Sequence, residues 1–194
     1  KIGIVCYPTF GGSGVLATEL GIELSKRGYE IHFITYNQPV KLELLSNKVH
    51  YHEVVVPDYP LFHYQPYELA LSTKVVDMVK KHEIELLHVH YAIPHAYAAY
   101  MAKNMLKYEG INIPVVTTLH GTDITLVGSH RSYKAAVEFS INKSDAVTAV
   151  SESLKKDTEE LFNININIEV IPNFINLDKY PSERKDKNRS IIAK

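Results

Sequence analysis

The chain has 194 residues, with 21 basic and 22 acidic side chains and a net charge of −1, which excludes an overall field that would draw nucleic acid or an anionic membrane. Its hydrophobic fraction of 45% and charged fraction of 22% are those of a globular protein, and no apolar run approaches the roughly 20 residues needed to cross a bilayer. A single cysteine, Cys6, excludes an internal disulfide; inside an apolar run it reads as a small core residue in a reducing compartment.

The predicted elements alternate between two periods. Ile2 to Cys6 is a short apolar strand, followed by a loop from Pro8 to Ser13. Val15, Leu16, Leu20 and Leu24 then recur at helical spacing up to a stop at Arg27-Gly28. Ile31 to Thr35 is a second strand, and Val49 to Val56 a third that ends at Pro57. Tyr67 to His82 is a helix with Leu71, Val75, Val76 and Val79 as its buried stripe. Leu86 to His90 is a strand, Pro94 to Tyr108 a helix, and Val115 to Leu119 a strand. Tyr133 to Asn142 is helical, Ala146 to Val150 extended, Ser153 to Phe162 helical, and Ile168 to Ile171 the last strand.

Short strands that are apolar throughout, separated by helices, predict an α/β fold with a doubly wound parallel sheet. Residues 1–175 form this Rossmann-like domain, and 176–194 a linker, because Lys179 to Lys194 turns heavily charged before Ile191-Ile192. Lys1-Ile2-Gly3-Ile4-Val5 enters a strand without a signal-peptide layout, so the expected location is cytoplasmic.

In such sheets ligands bind beyond the C-terminal strand ends. The first exit carries Gly11-Gly12-Ser13-Gly14. Gly12-Ser13-Gly14-Val15-Leu16-Ala17 satisfies the dinucleotide pattern G-x-G-x-x-A, but Gly12 lies late after the strand and Thr35-Tyr36-Asn37 lacks the acid that would hold a ribose. The general reading is a glycine loop whose N–H groups and helix dipole favour an anion, against a plain flexible turn. His88 and His90 share one strand face, an arrangement that invites a metal but lacks a third ligand at comparable spacing. One of the two reads as a core residue, and Tyr91 and His95 are better placed for ligand contact. Thr117-Thr118-Leu119-His120-Gly121-Thr122-Asp123 is the densest exit, with a strand-exit turn capped by Asp123 as the alternative reading. Asn173 follows the last strand.

These residues resemble the retaining family-four glycosyltransferases of GT-B architecture. The likeness rests on the glycine loop, the His-x-His strand, Thr-Leu-His-Gly-Thr-Asp, Ala149-Val150-Ser151-Glu152-Ser153-Leu154 and Val170-Ile171-Pro172-Asn173-Phe174-Ile175. Cys6-Tyr7-Pro8, His88 to Ala96 and the motif at Thr117 to Thr125 narrow the resemblance to members that transfer GlcNAc from UDP-GlcNAc to the hydroxyl of L-malate, the first step of bacillithiol biosynthesis. The resemblance implies the N-terminal, acceptor-side half of such an enzyme, with a C-terminal donor domain as its partner. No cofactor and no metal are expected, and a homo-oligomer stays open. The resemblance further implies that Gly12 and Gly14 face the donor phosphates and that His120 contacts the sugar near the reacting carbon. Ser13, Tyr91, Thr117, Thr118 and Asn173 would contact the acceptor. No arginine stands at these exits, Arg131 being the nearest in sequence, so an acceptor anion would lean on neutral donors.

Overall fold

The computed structural model describes residues 1–40, 42 and 47–174. The predicted linker over 176–194 lies outside the described residues. Among the described residues seven strands form one sheet, β1 Ile2–Val5, β2 Ile31–Thr35, β3 Val49–Glu53, β4 Leu86–His90, β5 Val115–Leu119, β6 Ala146–Ala149 and β7 Ile168–Val170. All neighbours run parallel, in the order β3-β2-β1-β4-β5-β6-β7. The order reverses between β1 and β4, the place where a doubly wound sheet opens a crevice above its strand ends.

Among the described residues five α-helices flank the sheet: α1 Gly12–Lys26, α2 Tyr67–His82, α3 Tyr97–Tyr108, α4 Lys134–Asn142 and α5 Glu152–Leu161. One face of β1 and β2 presents Ile4, Ile31 and Phe33, all fully buried, to Ala17 and Leu24 of α1. The opposite face presents Val5, Ile34, Leu87, Val89 and Val115 to α2 and α3. Farther along, Leu119, Val147, Ala149 and Ile168 pack against Val137 and Ile141 of α4 and Leu154 of α5. Each fully buried Val, Leu, Ile or Phe among these contributes about 1.5–3 kcal/mol by leaving water. Ala98, Ala99 and Ala102 let α3 lie close against its neighbours, and Ser151 caps α5 by accepting the Leu154 N–H at 3.1 Å. No helix among the described residues is long and apolar enough to cross a membrane.

Two strand or helix boundaries differ from the sequence reading by more than one residue. β3 stops at Glu53 because β2, its only partner strand, ends at Thr35; Val54 still bonds the Thr35 carbonyl, but Val55 is exposed. The helix expected from Pro94 begins at Tyr97, because Ala92–Ala96 forms an irregular turn held by contacts to the β5 exit.

Candidate functional site

A cavity of about 350 Å³ opens above the C-terminal strand ends, lined by Thr9, Gly12, Ser13, Tyr91, His120 and Asn173 among others. Its walls come from the exits of β1, β4, β5 and β7. α1 starts at its floor without a side-chain cap, and its first internal bond is Val15 N–H to Gly11 O at 3.2 Å. The N–H groups of Gly12, Ser13 and Gly14 therefore have no acceptor within the helix, and they carry the positive end of its dipole.

Gly14 is buried beneath the cavity and does not line it. An added Cβ would lie 2.5 Å from both the Tyr7 and Thr9 carbonyl oxygens, so only glycine lets α1 start this close to the β1 exit. Gly14→Ala should therefore destabilise the fold by about 1–3 kcal/mol, as overpacking does, and urea unfolding will read it. An unchanged midpoint would mean that the loop yields freely.

Tyr91 has φ 84°, in the left-handed region that costs a non-glycine residue energy. Its N–H bonds Thr118 O at 2.9 Å. Its hydroxyl meets Ser13 Oγ at 2.8 Å, which ties the glycine loop to the β4 exit. The Tyr91 ring lies 5.1 Å from both Tyr7 and His120.

His120 Nε2 is 2.8 Å from His90 Nδ1. His90 is almost fully buried and its other nitrogen has no partner. A bare buried acceptor is more tolerable than an orphaned N–H, which favours His90 donating from Nδ1 to His120. The remaining proton of His120 is then on Nδ1, leaving the ring a neutral donor. Burial pushes His120 down to about 4, with His88 nearby adding to the shift. Gly121, at φ 119°, turns the chain away immediately after it.

Asp123 is buried and accepts three backbone N–H groups, from Ala92 at 3.0 Å, Gly121 at 2.9 Å and His120 at 3.2 Å. It caps both the β4 and the β5 exit, and burial raises its pKa. Fully engaged in this way, it is no nucleophile.

Three expected contacts are corrected. Thr117 is fully buried on the helix-covered face, its hydroxyl 2.7 Å from Ser144 Oγ. Thr118 points to the other face, in a ladder with His88 Nε2 and Thr148 Oγ1, each at 2.8 Å. Neither lines the cavity, because side chains inside a strand project across the sheet and not beyond its end. His95 is fully buried, donating from Nδ1 to His90 O at 2.5 Å and packing 4.5 Å from the Tyr7 ring. Arg131 is exposed and lines none of these walls.

The sequence reading missed Tyr7 and Glu68. Tyr7 separates this cavity from a second one of about 510 Å³, lined by Tyr67, Glu68, Pro94, Tyr97 and Tyr133. Its walls carry a carboxylate, Glu68, and no cationic side chain. The signal for Tyr7 was its place one residue beyond an apolar strand.

The model of Glycosyltransferase Family 4 matches residues 10–179. The chain belongs to that family. This family-4 domain is 51% identical over 175 residues to N-acetyl-alpha-D-glucosaminyl L-malate synthase of Bacillus anthracis, covering 90% of this chain and 45% of that protein. It is 26% identical to an uncharacterized glycosyltransferase of Methanocaldococcus jannaschii, covering 89% of this chain and 45% of that one. The family-4 domain thus spans about half the length of these curated relatives. Among solved structures, a glycosyltransferase of Rickettsia africae superposes with a TM-score of 0.66 at 22% identity, over 91% of this chain and 44% of that one. That likeness concerns the fold alone.

Proposed function

We propose that this domain, residues 1–175, is the acceptor-side half of a retaining glycosyltransferase that moves GlcNAc from UDP-GlcNAc to the hydroxyl of L-malate. Residues 176–194 would lead to a C-terminal domain holding most of the nucleotide, and the enzyme would act in the cytoplasm. The carrying observation is the convergence of an uncapped helix N-terminus, Ser13, Tyr91, His120 and Asn173 on one cavity. The 51% identity to N-acetyl-alpha-D-glucosaminyl L-malate synthase of Bacillus anthracis supports the choice of substrates.

In this reading the N–H groups at the start of α1 hold the donor diphosphate as charge builds on it. His120 donates a hydrogen bond to the sugar. Ser13, Tyr91 and Asn173 orient malate with neutral donors. Retention follows when the malate oxygen bonds the anomeric carbon on the face that the phosphate oxygen leaves. UDP departs with the bonding electrons, and the hydroxyl proton passes to that departing oxygen. Asp123 has no part in this step, because its oxygens are committed to the backbone.

A competition assay on the complete enzyme tests the assignment, with L-malate set against sugar phosphates and simple hexoses. Malate should be preferred. Preference for a phosphorylated acceptor would overturn malate and leave the family unaffected. The isolated domain should turn over far below the roughly 1 per second common for enzymes.

A further inference from the structure

At the opposite edge of the sheet, near the N-terminal ends of the strands, four histidines and one glutamate meet. His32 is the second residue of β2, His50 and His52 lie on the edge strand β3, and His82 ends α2. Parallel register pairs His32 with His50 and Ile34 with His52, so all three imidazoles project to the face that α2 covers. The His32 ring lies 4.7, 5.2 and 4.8 Å from the rings of His50, His52 and His82, and His52 lies 4.8 Å from His82.

The donor atoms of His32, His52 and His82 all lie within 4.8 Å of one another. His32 Nδ1 and His52 Nε2 are 2.9 Å apart, a few tenths of an ångström short of the about 3.3 Å between two nitrogens on a tetrahedral ion with 2.0 Å bonds. His82 Nε2 is buried and finds no hydrogen-bond partner among the described residues. A buried, unpartnered imidazole nitrogen aimed into a cluster of imidazoles calls for an occupant. On its far side, His32 Nε2 meets Glu30 Oε1 at 3.1 Å. A carboxylate there fixes the proton on Nε2 and leaves the Nδ1 lone pair facing His52 and His82, which is the usual outer support of a metal-binding histidine.

We propose that His32 Nδ1, His52 Nε2 and His82 Nε2 bind one borderline divalent cation of the Zn²⁺ type, with Glu30 orienting His32 and water completing the coordination. Three imidazoles with an open fourth position suit such an ion, and oxygen-seeking Mg²⁺ or Ca²⁺ would find too few oxygens. Burial and neighbouring histidines push His32 and His52 down to about 4, so both rings are neutral ligands at pH 7. His52 and His82 are only half-buried, which gives the ion a path from solvent. Lys74 and Lys81 stand near enough to oppose a second positive charge, and Glu30 offsets them. The ion would clip the edge strand β3 and β2 to the end of α2, on the far side of the sheet from the glycine loop. The sequence reading expected no metal and weighed only His88 and His90. Neither belongs to a metal-sized group of donors among the described residues.

The test uses the untagged chain stripped with chelator, titrated with Zn²⁺ by calorimetry and with Co²⁺ by visible absorption. One ion per chain should bind, and Co²⁺ should give the intense bands of four-coordination. Glu30→Gln should weaken binding about 10-fold, the scale of a lost outer partner, and His52→Ala or His82→Ala should weaken it more. His63→Ala, an exposed histidine elsewhere, should change nothing. Circular dichroism in chelator checks that each variant folds. Imidazole nitrogen NMR of the unaltered chain needs no variant, and Zn²⁺ should move the His32, His52 and His82 signals. No stoichiometric binding, equal affinity in the cluster variants, or shifts at other histidines instead would overturn the proposal.

Discussion

Under the proposed function, His120→Ala in the full-length protein will lower kcat by about 100-fold, the scale of loss when a group that positions the sugar is removed. The ring sits at the β5 exit, half-buried in the cavity wall, with Nε2 taken by His90 and Nδ1 left to donate. The same substitution strips His90 Nδ1 of its partner in a buried setting, which costs about 1–3 kcal/mol of stability. The two effects separate by measuring kcat per folded molecule alongside urea unfolding. A large loss of stability with unchanged kcat would make His120 a support for His90 and nothing more.

Lowering the pH from 7 to 4 will destabilise the domain steeply. Burial holds His88, His95 and His120 down at about 4 and pushes His90 well below its ordinary value, and His32 and His52 are held at about 4 on the far edge. The unfolded chain titrates its histidines near 6.5. Between those values the unfolded state takes up protons that the folded state refuses, so this stability is complete above about 6.5 and is lost as pH falls toward about 4. His95 is fully buried, and its shift alone is worth about 3 kcal/mol, or a fall in Tm of roughly 10 °C for a domain of this size. Asp123 acts in the other direction, because burial raises its pKa and its protonation favours the folded state. It stands against the six histidines named, and His82 is held below its ordinary value as well. Thermal unfolding by circular dichroism from pH 7 to 4 measures the sum, and a flat Tm would show that the imidazoles reach water.

The sheet was legible because its strands are buried on both faces. Ile31-His32-Phe33-Ile34-Thr35 is wholly buried, and nothing but a central strand of a covered sheet needs such a run. Tyr91, His120 and Asn173 were legible because they lie just past strand ends, and Gly12 and Ser13 because a glycine-rich loop opens the helix that follows β1. Thr117 and Thr118 were misread because nearness to an exit in sequence is not nearness to the cavity. Alternation sends one to each face of the sheet. His95 was misread because the turn Ala92–Ala96 folds back beneath Tyr7, and no local pattern encodes that return. The bond between His90 and His120 joins residues 30 apart in sequence, and the histidines of the far edge come from three separate segments. Such pairings arise only once register is set.

Asp123 bears on any effort to retarget the proposed acceptor. One carboxylate fastens Ala92 on one loop and His120 and Gly121 on another, so the two loops are a single mechanical part. Grafting a foreign 91–96 segment alone would leave Asp123 gripping a backbone of the wrong shape and would drag His120 with it. Chimeras that exchange 91–96 together with 120–126 keep the joint intact. Libraries built on that pair of segments should return more folded, active variants than libraries that vary either loop by itself.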